Sequence, residues 1–275
     1  MNRISPSWAL MLLALVLSLH FSCSTTASHK ALQAPPGMVL IPGGTFMMGC
    51  TKGDGQCDMH EQPLHQVVLN AFYMDKTEVT VDAFRRCVIE AKCKKHSFWG
   101  IDRCNWNQTG RENHPMNCVN WFDAKSYCEW AGKRLPTESE WEYAARGGHS
   151  DWKYPWGNEQ AVCSRAVMVE DRRGGCGKDG AWPVGIKGAY GFGLFDMAGN
   201  VDEWVEDCWI EDYTETPQDG TAWTSTPGNC YLGRVSRGGS WAFNAWYLRV
   251  SYRIRADAYN DYGPTKGFRC AKTME

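Results

Sequence analysis

The chain has 275 residues, a formal charge of −2, 43% hydrophobic residues and 22% charged residues. These values exclude wholesale disorder and leave no basic footprint for nucleic acid. The unusual counts are 13 Cys, 14 Trp and 28 Gly, which point to a loop-rich domain made in an oxidising compartment.

Residues 1–22 read as a signal peptide. Arg3 supplies the positive start, and the uncharged run from Trp8 to Leu19 is too short for a stable bilayer anchor. Ser22-Cys23 resembles the acylation box of exported lipoproteins, with His20 where that box usually carries Leu. Lipidation of Cys23 is the expectation, and ordinary cleavage within residues 24–28 is the other reading. Residues 23–36 (CSTTASHKALQAPP) are small, polar and Pro-terminated, as a tether would be. Residues 37–275 read as one domain, with no internal repeat and no second linker.

His60-Glu-Gln-Pro-Leu-His65 has the wrong spacing for a zinc helix, and Pro63 forbids that helix. It reads as a turn entering a strand, HQVVLNAFYMD, over residues 65–75. Thr80 can cap the helix VDAFRRCVIEA, with Asp82 in the first turn. Asn120 can cap WFDAKSYCEWA, which places Trp121, Ala124, Cys128 and Ala131 on one face and ends at Gly132. Thr137 and Glu140 form a capping box that opens a third helix.

Asp196 and Glu203 bracket a Gly-containing loop, DMAGNVDE. Such spacing suits calcium, which accepts irregular cages of hard oxygen. It equally suits a turn whose acids cap backbone amides, and spacing alone does not choose. From Leu248 to Arg255, Leu248, Val250, Tyr252 and Ile254 alternate with Arg249, Ser251, Arg253 and Arg255, which predicts a half-buried strand with a basic face. Those arginines meet an acidic ligand or carboxylates of the same domain, and the second is expected of partly buried Arg. There is no nucleophile elbow, phosphate loop or dinucleotide fingerprint.

If Cys23 carries lipid, twelve cysteines remain, and six disulfides are expected. Cys50/Cys57, Cys163/Cys176 and Cys208/Cys230 are close in sequence. The pairing among Cys87, Cys93, Cys104 and Cys118 is open.

The runs GMVLIPGGTFMMG, TEVTVDAFRRC, HPMNCVNWFDAKSYCEWAGKRLPTESEWEYAARGG, YPWGNE, GLFDMAGNVDEW, RGGSW and GFRC stand in one order over residues 37–272. Together they resemble the formylglycine-generating enzyme (sulfatase-modifying factor) domain. The resemblance implies an α+β, C-type-lectin-related fold, low in regular secondary structure, as a disulfide-rich single domain. It implies a Cys128–Cys270 bridge. It implies structural calcium held by the side chains of Asp196 and Glu203 and the carbonyls of Gly199 and Val201. Cys176 stands where the family's other calcium site has Asp, so a Cys163–Cys176 bridge is expected to replace that site.

The family's enzymes bind copper(I) through two cysteines and convert a sulfatase cysteine to formylglycine. Those positions are Phe243 and Leu248 here, and no cysteine lies between Cys230 and Cys270. Copper(I) wants soft thiolates, so no copper and no catalytic residue are expected. Asp202 and Thr265 also depart from the active pattern, which has Trp and Asn there. Ser240 and Tyr247 match residues lining the family cleft, and Arg249 and Asp202 are further ligand-binding candidates.

The expected function is an envelope-anchored member without formylglycine-generating activity that binds a peptide, protein or glycan in the cleft. The alternative is an oxidoreductase of the formylglycine-generating/nonheme-iron family with a different metal site. The expected location is the periplasm or the outer membrane, as a lipoprotein held by its lipid anchor, with no nucleic-acid partner.

Overall fold

The computed structural model describes residue 1 and residues 34–95, 102–224 and 230–274. Residues Ala34–Glu275 gather into one compact unit. Cys23 and nearly all of the expected signal peptide and tether lie outside the described residues.

Most described residues run in turns and connections. Among the described residues, nine short strands make three sheets. β1 (Met38–Ile41), β4 (Phe72–Asp75) and β9 (Ala271–Thr273) form an antiparallel sheet with β4 central. β2 (Gly44–Met48) pairs with β3 (His65–Leu69). The third sheet has the order β7-β6-β5-β8, built from β5 (Asp202–Cys208), β6 (Arg234–Arg237), β7 (Arg253–Ala256) and β8 (Lys266–Gly267). Only its β5–β8 pair is parallel.

The expected single strand over residues 65–75 is two strands in different sheets. β3 alternates, with Val67 and Leu69 buried and Val68 exposed, while every residue of β4 is buried. The change in period at Asn70-Ala71 marks the change of partner.

The three helices start where their caps predict. α1 (Val81–Ile89) begins after Thr80, whose hydroxyl accepts the Ala83 amide at 3.2 Å. α2 (Trp121–Trp130) begins after Asn120, and α3 (Glu138–Ala145) after Thr137, each with a complete capping box. α1 and α2 bury Phe84, Trp121, Ala124 and Cys128 against Trp204 and Phe268. α3 buries Trp141, Ala144 and Ala145 against β2, β3, β4, Val205 and Val235.

The predicted basic strand over residues 248–255 is not formed as such. Ala245–Leu248 is a 3-10 turn capped by Asn244, and only Arg253–Ala256 is strand. Arg249 and Arg253 are buried beside Leu248 and Val250, because carboxylates from distant segments meet them. Arg249 takes Glu61 through two bonds of 2.6 Å, and Arg253 takes Glu138 at 2.7 and 3.0 Å. Arg237 bridges Glu138 and Glu142, and Arg146 joins Glu142. The internal-carboxylate reading of these arginines therefore holds for Arg249 and Arg253, and Arg255 alone stays exposed.

Six disulfides join Cys50–Cys57, Cys87–Cys93, Cys104–Cys118, Cys128–Cys270, Cys163–Cys176 and Cys208–Cys230. The two pairings left open by the sequence are thus local ones. Among the described residues, no helix is long and apolar enough to cross a membrane.

Candidate functional site

The run Gly238-Gly239-Ser240-Trp241 leaves β6 through a tight turn. Gly239 has φ +66, and a Cβ there would lie 2.7 Å from the Tyr247 carbonyl oxygen, so only glycine fits. The chain then folds back on itself. Asn244 accepts the Trp246 amide at 3.0 Å and closes the turn that holds Tyr247 and Leu248.

This places Leu248 in an apolar cluster with Tyr154, Ala161, Ala166, Met168 and Ala198. Phe243, Tyr247, Trp156 and the Cys163–Cys176 bridge pack half-buried on the same cluster. The rings continue outward. Phe243 stacks on Tyr247 at 4.7 Å, and Tyr247 meets Trp246 and Tyr252 at 5.2 and 5.0 Å. Trp156 stacks on Tyr154 and reaches Tyr190, each at 5.3 Å. The result is an aromatic surface over an apolar floor. Phe243 and Leu248 offer no donor to a metal, and each of the twelve described cysteines is in a disulfide. Such a surface can stack flat or apolar ligand groups, while the Trp156 and Trp246 indoles already donate to the Glu159 and Gln56 carbonyls.

Of the four cleft candidates, Tyr247 alone reaches this surface. Ser240 is fully buried, and its hydroxyl accepts the Ala242 amide at 3.3 Å. Arg249 is fully buried and committed to Glu61. Asp202 is fully buried between Lys266 and Ser236. All three side chains are buried and bonded within the domain. Sequence reasoning missed Trp156, Tyr190, Trp246 and Tyr252, whose signal was only the high aromatic count.

A second arrangement lies around the DMAGNVDE loop. Gly199 has φ +80, and any Cβ would strike the Val167 carbonyl. Asp196 also adopts positive φ, and its carboxylate accepts the Gly185 amide at 2.6 Å. Glu203 accepts two bonds of 2.7 Å from Arg269 and one of 2.8 Å from the Trp141 indole. Glu78 completes the cluster from the segment before α1. Its Oε2 accepts the Asn200 amide at 3.2 Å, and its buried Oε1 has no partner.

Burial, and then the charges of Asp196 and Glu203, push the Glu78 carboxyl well above its ordinary range. Burial likewise raises Asp196. Three buried carboxylates thus lie in the field of Arg269, which bonds Glu203 alone among them, while Asp196 and Glu78 meet each other. The donors are all oxygen, as calcium prefers, yet Glu78, Asp196 and Glu203 do not bring three carboxylate oxygens within 4.8 Å of one another, and Arg269 takes both oxygens of Glu203. Glu78 was not singled out in the sequence, because the fold alone brings TEVT to this loop.

A family model described as the sulfatase-modifying factor enzyme 1-like domain matches residues 24–274. The chain is 34% identical over 283 residues to a formylglycine-generating enzyme of Thermomonospora curvata, covering 86% of this chain and 93% of that protein. It is 31% identical to a Bos taurus protein named inactive C-alpha-formylglycine-generating enzyme 2, covering 85% of this chain and 87% of the relative. The solved structure of PvdO from Pseudomonas aeruginosa superposes with a TM-score of 0.72 at 29% identity, covering 86% of this chain and 94% of that one.

Proposed function

The chain belongs to the sulfatase-modifying factor enzyme 1-like family, and from that premise we propose that it is a member without formylglycine-generating activity. In this reading it binds a peptide or glycan on the aromatic surface around Tyr247, and lipidated Cys23 holds it at the cell envelope.

One observation carries the reading. Phe243 and Leu248, which the resemblance aligns with the copper(I)-holding positions of active members, both lie in the apolar cluster, with no free thiol among the described cysteines to take their place. A soft cation has no ligand there. What remains at the surface is a set of rings, which supports binding over redox chemistry. The six disulfides suit an exported chain. The Bos taurus relative named inactive is a precedent for the fold without that reaction.

Calcium belongs to the same reading. The side chains of Asp196 and Glu203 and the carbonyls of Gly199 and Val201 would hold it. Its role there is to balance buried negative charge and fix the loop beneath the aromatic wall.

The test is incubation of the mature protein with a cysteine-containing sulfatase-motif peptide, copper and a reductant, read by mass spectrometry. No formylglycine above the enzyme-free control is expected, and turnover overturns the reading. Cys23→Ala should separately abolish membrane association of the expressed chain.

A further inference from the structure

A polar groove of about 440 Å³ adjoins the aromatic surface, lined by residues 51–56, Asp151, Lys153 and Asn158. That volume falls in the ~300–1,000 Å³ range of small-ligand sites. Two contacts join the groove to the rings. The exposed Trp246 donates from its indole to the Gln56 carbonyl at 3.0 Å, and the Lys153 ammonium lies 5.8 Å from the Tyr154 ring centroid. Behind them, Arg249 lies 5.4 Å from the Tyr252 ring centroid and also donates to Asp54 at 3.3 Å.

The groove wall is bonded to itself. The Cys50–Cys57 bridge closes its loop. Lys153 donates to Asp54 at 2.9 Å and to the Gln56 side-chain oxygen at 2.7 Å, and its backbone amide donates to the Asn158 side-chain oxygen at 2.8 Å. These bonds use the oxygens of Gln56 and Asn158 and leave their amide nitrogens unbonded among the described residues. Lys52 and Asp151 are exposed, and neither is in an ion pair there. The wall carries two lysines and two aspartates, so the groove has no net sign of charge.

Free donors beside a free acceptor match hydroxyl groups, which do both, and a neutral groove gives neither an anion nor a cation an advantage. Aromatic faces favour a flat apolar face. A pyranose with equatorial hydroxyls offers both, with C–H bonds on its faces and hydroxyls around its edge. A peptide is matched less well, since none of these rings or groove residues lies in a strand whose edge could extend onto one. We propose that the groove and the rings around Trp246 form one site for a short neutral saccharide of all-equatorial pyranose units, stacked on the rings with its hydroxyls on Lys52, Gln56, Asp151 and Asn158. This rests on the reading of the aromatic surface as a binding surface.

Calorimetric titration of the mature chain with cellohexaose, chitohexaose and decaproline tests this. At least one hexaose should bind with a Kd below about 1 mM. Its affinity should stay the same between about 0.05 and 0.5 M salt, because no ion pair is there to be screened. Trp246→Ala should weaken it about tenfold by removing a stacking face. Asp151→Ala, at an exposed side chain, should weaken it about three- to tenfold without moving the melting temperature. Decaproline should not bind. Absence of hexaose binding, salt-sensitive binding or indifference to both variants overturns the proposal. Decaproline bound as tightly as the hexaoses, or in their place, also overturns it but leaves the binding-surface reading standing, which falls instead with formylglycine turnover.

Discussion

The acidic cluster around Glu203 and the apolar cluster around Leu248 are two regions of one scaffold with opposite histories. Around Glu203 the charged residues that the family resemblance implies are present, and each is drawn into a dense set of buried bonds. Around Leu248, where the resemblance puts Phe243 and Leu248 in place of two cysteines, the space is filled by mostly apolar side chains. Losing a buried carboxylate strands a buried arginine, whereas replacing a thiolate by Phe or Leu leaves nothing unpaired. The charge arrangement is thus tied to stability, and the reaction site is free to change.

The strongest way to break this comparison is Glu203→Ala. It leaves Arg269 fully buried without its carboxylate, and we expect a loss of about 3–5 kcal/mol in urea unfolding. A cost below about 1 kcal/mol would mean the acidic cluster is as replaceable as the apolar one. Chelation comes next. If calcium is held at one hundred times its dissociation constant, removing it costs about 2.7 kcal/mol, or about 5–10 °C in melting temperature for a domain of this size. A melting temperature indifferent to chelator and to added calcium refutes that site.

Phe243→Cys/Leu248→Cys sharpens the other side. Shortening two packed side chains should cost about 1–3 kcal/mol, since both give up apolar contacts in that cluster. In return, the double variant should gain copper(I) binding measurable by competition with a chromogenic chelator, where the parent shows none. If it gains none, the surrounding geometry has changed as well as the ligands.

The smallest effect is expected at His114, near the segment that carries Glu78. Burial and then the Arg111 charge push its imidazole down from 6.5 to about 4. The unfolded chain takes up this proton near pH 6.5 and the folded chain only near pH 4, so folding stability falls as pH drops through that window and levels off below it. His114→Gln should lose less melting temperature than the parent between pH 7 and pH 4.5. An equal loss would show that His114 does not drive the acid sensitivity.

Local signals were legible in the sequence and distant ones were not. The caps at Thr80, Asn120 and Thr137 act within four residues, so the helix starts follow from reading them. The ordered motifs announce the fold class as a whole. The alternation from Leu248 to Arg255 misled because Glu61 and Glu138, which bury its arginines, lie far along the chain. Ser240, Arg249 and Asp202 are cleft candidates by resemblance, yet their side chains are spent inside the domain. The Glu78 carboxylate cluster and the groove beside Trp246 exist only once the chain has folded.

The Cys128–Cys270 bridge has a mechanical consequence. It ties residues 142 positions apart, so tension applied between the two ends of the domain passes from Cys128 straight to Cys270. Everything between them, including α3, the aromatic surface, and Asp196 and Glu203 of the acidic cluster, hangs on an unloaded branch. Reducing it together with the Cys163–Cys176 and Cys208–Cys230 bridges inside the loop would release about 480 Å of extra contour length at ~3.4 Å per residue. While it is oxidised, a pull on the ends can peel away β1 to β4 and leave the aromatic surface slack.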